Sequence, residues 1–219
     1  MFWCLKRKKP QVRNHEPDEA QASTQPFHKD QVFPDYYHDQ VIKWYGKMIV
    51  REEHLLSGQS MGHVHWYMKM LKANAEVYKS VAEICPVPWE ILAVLHGLES
   101  SFNLDKQILN GQSWKKKTTW VPKGLGPFSS FADSCQRAFI HESAHNPIPK
   151  KWGVAETALF LERWNGMGYW RKRKASPYLW SYSNIYGGGK YVSDGRYSAS
   201  AVSKQVGGMV MLEALGFFE

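Results

Sequence analysis

Apolar residues in this chain recur mainly three and four positions apart, the spacing that gathers them on one side of an α-helix. Tyr36 to Leu56 places Tyr37, Val41, Trp44, Tyr45, Met48 and Ile49 on one face. After a break at Ser57-Gly58-Gln59-Ser60, His63 to Ile84 carries the pattern on through Val64, Tyr67, Met68, Leu71, Ala75, Tyr78, Val81 and Ala82. Cys85-Pro86-Val87-Pro88 is then a rigid elbow, and Pro88 suits the first turn of a new helix, where its missing N–H costs nothing. That helix, Pro88 to Asn103, aligns Ile91, Leu92, Leu95, Leu98 and Phe102 as one buried stripe. Phe131 to Ile140 and Val154 to Trp164 predict two more, the second closed by Asn165-Gly166. Ser200 to Phe218 predicts a closing helix through Val202, Val206, Met209, Val210, Leu212 and Leu215, in which Gly207-Gly208 permits close approach to a neighbour. The fold class expected is mainly α.

The connecting stretches carry different signals. Asp105 to Pro127 is mostly irregular and holds the turn Asn110-Gly111 and the basic triplet Lys115 to Lys117. Thr118 to Pro122 predicts a short strand or hairpin arm, the small β element of the fold. Ser176 to Val192 is a loop by its Pro and Gly content, and its density of aromatics makes it a candidate binding wall. Residues 1–34 open with the run Lys6 to Lys9 and continue polar, with too little apolar surface to offset chain entropy, so a basic, polar tail is expected there. The organisation predicted is a tail over 1–34, a helical elaboration over 35–86 packed on the core, and a main domain over 87–219.

Composition alters this picture in a few places. The chain of 219 residues, 43% hydrophobic and 22% charged, is ordinary for a globular protein. Its 10 Trp, 11 Tyr and 10 Phe exceed what a core needs, so some should line a groove. A net charge of +8 calls for an acidic partner: nucleic acid, anionic membrane or anionic wall polymer. The basic clusters are scattered and no nucleic-acid module accompanies them, which ranks specific nucleic-acid binding last. Cys4, Cys85 and Cys135 make neither a disulfide framework nor a metal spacing, although a Cys85–Cys135 bridge stays open. His54, His63 and His65 lack further ligands at close spacing, so no metal is expected. No apolar run is long enough to span a bilayer. The basic cluster follows a very short apolar start, so no secretory signal is expected.

Glu99 is the residue that suggests chemistry. It falls on the buried stripe, one turn beyond Leu95, and is aimed at the core side. Burial disfavours a charged carboxylate and raises its pKa, the state a general acid needs near neutral pH. A structural ion pair with Arg or Lys is the alternative for such a side chain. Ser100, Ser101 and Asn103 are poor helix extenders, so the helix should end here and leave Glu99 at the lip of a loop.

This Glu-Ser pair resembles the signature of the lysozyme-like superfamily, goose-type lysozymes and soluble lytic transglycosylases. From Val87 onward the run Leu-His-Gly-Leu-Glu-Ser-Ser-Phe-Asn, then Ile-Leu-Asn-Gly, Val-Pro-Lys-Gly, Leu-Glu-Arg-Trp-Asn-Gly-Met-Gly-Tyr, Ser-Pro-Tyr-Leu-Trp-Ser and Gly-Lys-Tyr-Val-Ser-Asp-Gly is similar to phage and bacterial members. Two motifs depart from the transglycosylase pattern. Gly126-Pro127 stands where Gly-Leu-Met-Gln would end, and Trp164 stands where Tyr-Asn-x-Gly would begin.

The resemblance implies a lysozyme-like helical domain with a small β element beside the cleft. It implies cleavage of peptidoglycan between N-acetylmuramic acid and N-acetylglucosamine, without a cofactor. Glu99 would be the general acid. Among the available acids Asp105, Asp133, Glu162 and Asp194, the candidate second carboxylate is Glu162, three residues before Asn165 on the expected cleft helix, with a buried structural ion pair as its alternative. Ser100, Ser101, Asn110, Asn165, Tyr169, Tyr182 and Tyr186 would contact the glycan. Without a carboxylate facing Glu99, the lytic transglycosylase route fits better. A virion or wall-binding protein that kept the fold but lost turnover is a further alternative, with virion proteins as possible partners of the tail. The protein would be made in the cytoplasm and reach the wall by lysis or within a particle.

Overall fold

The structure, a computed structural model, describes residues 59–193 and 195–218, together with Lys43. Apart from Lys43, which is helical, the segment Tyr36 to Leu56 lies outside the described residues, as do the tail over 1–34 and Asp194. Among the described residues the chain is mainly helical, with eight helices and one two-stranded sheet.

Helices α1 (Gln59–Ala73) and α2 (Ala75–Ala82) divide the single helix expected over His63 to Ile84, and Gln59 and Ser60 belong to α1 rather than to a break. The division falls at Asn74. Its side-chain amide donates to the Met70 carbonyl at 2.8 Å and its backbone N–H to the Leu71 carbonyl at 3.2 Å, displacing the regular ladder. α3 (Trp89–Ser100) starts one residue after Pro88, which caps it from outside at ψ 149°.

The expected one-sided stripe of α3 is in fact a helix buried on all sides. Ala93, Val94 and His96 are as inaccessible as Ile91, Leu92 and Leu95. A helix apolar all round must have neighbours all round, and α1, α2 and α8 (Gly208–Ala214) supply them. The core runs as one cluster from Val64 of α1 to Leu212 of α8, so the N-terminal helices share it with the later ones.

Two helices match their expected positions closely. α4 (Phe131–Glu142) is capped by Ser130, whose hydroxyl accepts the Asp133 N–H at 3.0 Å. α5 (Val154–Asn165) ends at Gly166, left-handed with φ 101°.

The aromatic segment is more ordered than a loop. It begins near two short helices, α6 (Gly168–Arg171) and α7 (Pro177–Trp180), and runs into the hairpin β1 (Lys190–Ser193) and β2 (Arg196–Ser198). The strands are antiparallel, with Tyr191 opposite Tyr197 and a bulge between Tyr191 and Ser193. Thr118 to Pro122, expected to be a strand, is irregular. The Thr118 hydroxyl donates to the Pro122 carbonyl at 2.6 Å and accepts the Leu125 N–H at 3.0 Å, closing the chain into a loop.

The closing helix is also much shorter than the pattern from Ser200 suggests. Gly207 explains where it starts: a Cβ there would lie 2.3 Å from the Leu179 carbonyl oxygen, so α8 begins where its backbone meets the end of α7. Gly208 sits against Val94, Leu98 and Leu161. Cys85 and Cys135 are both free, buried thiols, and burial pushes Cys85 up to about 11.

Candidate active site

The end of α3 is a turn whose carbonyls are satisfied one by one. Ser101 is left-handed (φ 53°, ψ 44°) and its N–H reaches the Gly97 carbonyl at 3.0 Å. The Ser100 hydroxyl donates back to the His96 carbonyl at 2.8 Å, and the Asn103 N–H donates to the Ser100 carbonyl at 3.2 Å. The Leu98 carbonyl accepts from the Gln205 side-chain amide, which arrives from the other end of the chain. Phe102, also left-handed (φ 62°), folds its ring onto Gly97; a Cβ at Gly97 would lie 2.5 Å from that ring. The helix therefore ends where Ser100, Ser101 and Asn103 predict.

Glu99 leaves this turn half-buried. The Tyr178 hydroxyl donates to its Oε1 at 3.0 Å. Tyr178 comes from α7, which Ser176-Pro177 initiates with proline at the first helical position; Leu179 and Trp180 are sealed in the core while Tyr178 stays half-buried. A phenol orients a carboxyl group through one hydrogen bond without bringing a formal charge to it.

His96, one turn before Ser100, is fully buried and holds the turn from beneath. Its Nε2 lies 3.0 Å from the Asn103 carbonyl and its Nδ1 2.7 Å from the Tyr78 hydroxyl. A carbonyl only accepts, so Nε2 carries the hydrogen and Nδ1 receives the Tyr78 proton. Burial lowers His96 to about 4, so it is neutral at pH 7.

The other residues expected at the site lie in separate places. Glu162 is fully buried in the last turn of α5, where its carbonyl accepts the Gly166 and Met167 N–H groups at 2.6 and 3.1 Å. Its charge helps raise the Tyr169 and Tyr191 phenols, for which burial is the larger cause. Asn165 ends the same helix, half-exposed. Tyr169 is buried, and its hydroxyl accepts the Tyr191 N–H at 3.1 Å, tying α6 to β1. Asn110 is buried in its own turn, its side-chain oxygen accepting the Gln112 N–H at 3.1 Å. Tyr182 joins His63 of α1 to the Lys204 carbonyl. Tyr186 donates to the Gly189 carbonyl at 3.0 Å and accepts the Ser203 N–H at 3.3 Å.

The structure thus brings Glu99, Ser100 and Ser101 into one turn, and gathers Glu162, Asn165 and Tyr169 around the end of α5. Two further acids are engaged elsewhere: Asp105 pairs with Lys115 at 2.6 Å, and Asp133 bonds to Ser129, whose N–H and hydroxyl hold its carboxyl below the usual range.

Sequence reasoning missed Tyr178, Gln205 and His96. Only Tyr178 had a local signal, the Ser-Pro helix start that fixes its phase. A separate hollow of about 480 Å³, lined by Ile148, Lys150, Lys151, Leu159, Phe160 and Arg163 among others, borders none of the expected site residues. Among the described residues no group of His, Cys, Asp or Glu could hold a metal ion, and no helix is long and apolar enough to cross a membrane. No protein-family model, curated protein or solved structure matches the chain.

Proposed function

We propose that this protein cleaves the β-1,4 bond between N-acetylmuramic acid and N-acetylglucosamine in peptidoglycan, with Glu99 as the general acid. The observation that carries the proposal is the position of Glu99. It lies on the last turn of the most buried helix, half open to solvent, and is oriented by the Tyr178 hydroxyl at 3.0 Å. A carboxyl group so placed can give its proton to the glycosidic oxygen as the bond to the anomeric carbon breaks. Delivery to the wall by lysis or within a particle belongs to the same proposal.

The full burial of Glu162 favours one variant of this chemistry. An inverting hydrolase needs a second carboxylate beside a water molecule, and a retaining one needs a nucleophile facing the sugar. A sealed carboxylate has access to neither. In the lytic transglycosylase route Glu99 alone serves both steps. Having protonated the leaving oxygen, its carboxylate takes the proton from the sugar's own hydroxyl as that oxygen closes on the anomeric carbon.

Mass spectrometry of digested wall tests both levels. Anhydro-muramic ends are expected, one water lighter than hydrated ends, and Glu99→Gln should release neither product. Wall binding with no product from the unaltered protein would leave a binding role and remove the enzyme.

A further inference from the structure

The knuckle at the end of α6 presents four consecutive exposed cations, Arg171, Lys172, Arg173 and Lys174. Three of them are seated on aromatic rings. The Lys172 and Lys174 ammonium groups lie 5.7 and 5.9 Å from the centre of the Tyr197 ring, and the Arg173 guanidinium lies 4.5 Å from that of Trp170. Tyr197 is itself braced by edge contacts with Tyr191 and Tyr169 at 5.5 and 6.4 Å.

Arg173 sharpens the case. It is left-handed, with φ 53°, at the point where a short helix turns back and the Lys174 N–H reaches the Tyr169 carbonyl at 3.1 Å. Glycine is the default at such a position, and another residue costs about 1 kcal/mol there. Here the chain carries an arginine stacked on tryptophan. Among the described residues no carboxylate pairs with any of the four. The Lys115 to Lys117 triplet differs, since Lys115 is paired with Asp105.

Chain length sets the distance to the candidate acid. Lys174 is four residues from Tyr178, so their Cα atoms are at most about 14 Å apart, and Tyr178 touches Glu99.

We infer that this knuckle is a docking surface for a phosphate-bearing polymer carried by the bacterial wall, held beside the glycan strand that Glu99 meets. A row of single cations fixed on rigid aromatic faces suits a chain of regularly repeated single anions, and arginine suits phosphate oxygens in particular. The inference rests on the wall-cleaving proposal only for the choice of polymer.

The experiment uses full-length protein carrying Glu99→Gln, so that no wall is digested. It measures sedimentation with purified walls rich in phosphodiester-linked polymer, before and after hydrofluoric acid removes that polymer. Retention on intact walls should fall with added salt, and inorganic polyphosphate should displace the protein. Stripping the walls should weaken binding about tenfold. Adding Lys172→Gln, Arg173→Gly and Lys174→Gln should do the same and flatten the salt dependence, as fewer counterions are released. The control replaces Lys115, Lys116 and Lys117 by Gln and should bind nearly as the parent does. Equal losses from the two triplets would reduce the effect to net charge and overturn the inference. Undiminished binding to stripped walls, or tighter retention on duplex DNA than on intact walls, would overturn it too. Absence of cleavage by the unaltered protein with wall retention intact would remove the proposed activity and leave the docking surface standing.

Discussion

The ends of α3 and α5 make an instructive pair. Each helix carries a glutamate in its last turns, and each stops at a left-handed residue, Ser101 at φ 53° and Gly166 at φ 101°. Glu99 lies two positions before its cap and Glu162 four before, about half a turn apart in phase. That offset leaves Glu99 half open beneath Tyr178 and seals Glu162 completely, among aromatic residues that include Tyr169. Residue type is the same in both cases. What sets them apart is the phase on the helix, and with it the neighbouring segment that covers the side chain.

Under the proposed function the α3 end carries the chemistry and the α5 end supports it, so the largest effect should follow substitution of Glu99. Glu99→Gln keeps the shape and the Tyr178 contact but cannot donate a proton, and the rate of wall clearing should drop by about 10²–10⁴-fold at unchanged thermal stability. Activity near that of the parent would remove the distinction between the two ends.

The next effect concerns what holds the α3 end in place. His96 titrates at about 4 in the folded chain against an ordinary 6.5, so the unfolded chain takes up the proton first as pH falls. Its contribution to stability is therefore fully present above pH 6.5, declines from there to about pH 4 and stays level below. The total loss is about 3 kcal/mol at 1.36 kcal/mol per pKa unit. Urea unfolding across this range should show the decline in the parent and a flatter profile in His96→Gln; parallel profiles would exclude a buried neutral imidazole under the turn.

Glu162→Gln should act on stability instead of turnover. A loss of about 1–3 kcal/mol is expected for disturbing a buried polar group, with wall clearing close to that of the parent. Abolished turnover at unchanged melting temperature would make Glu162 a partner of Glu99 and restore a two-carboxylate hydrolase. The smallest effect should come from Tyr178→Phe, which removes one hydrogen bond worth about 1 kcal/mol and should slow wall clearing less than about tenfold. A loss as large as that of Glu99→Gln would give the phenol a direct part in proton transfer.

Much of the helical layout was legible in the sequence. α4 and α5 fall within two residues of their expected limits, because Ser130 and Gly166 mark their ends with local chemistry. The stop after Glu99 was legible for the same reason. The pattern over His63 to Ile84 contained no sign that Asn74 would turn its amide onto the Met70 carbonyl. The β element was placed at Thr118 to Pro122, but the hairpin forms where Tyr191 and Tyr197 can face each other and Tyr169 can accept a strand N–H. The closing helix was drawn too long because periodicity from Val202 onward ignores the collision that Gly207 avoids with the end of α7.

The sequence alone determined α4, α5 and the turn that exposes Glu99, because spacing, caps and left-handed stops act over a few residues. It also marked Glu99 itself. Only the tertiary structure decided what meets that carboxyl group: Tyr178 from 79 positions away, Gln205 from 107 positions beyond the carbonyl it caps, and His96 bridging Tyr78 and Asn103. Such contacts depend on how buried helices pack against one another, and no local pattern encodes which distant side chain will arrive.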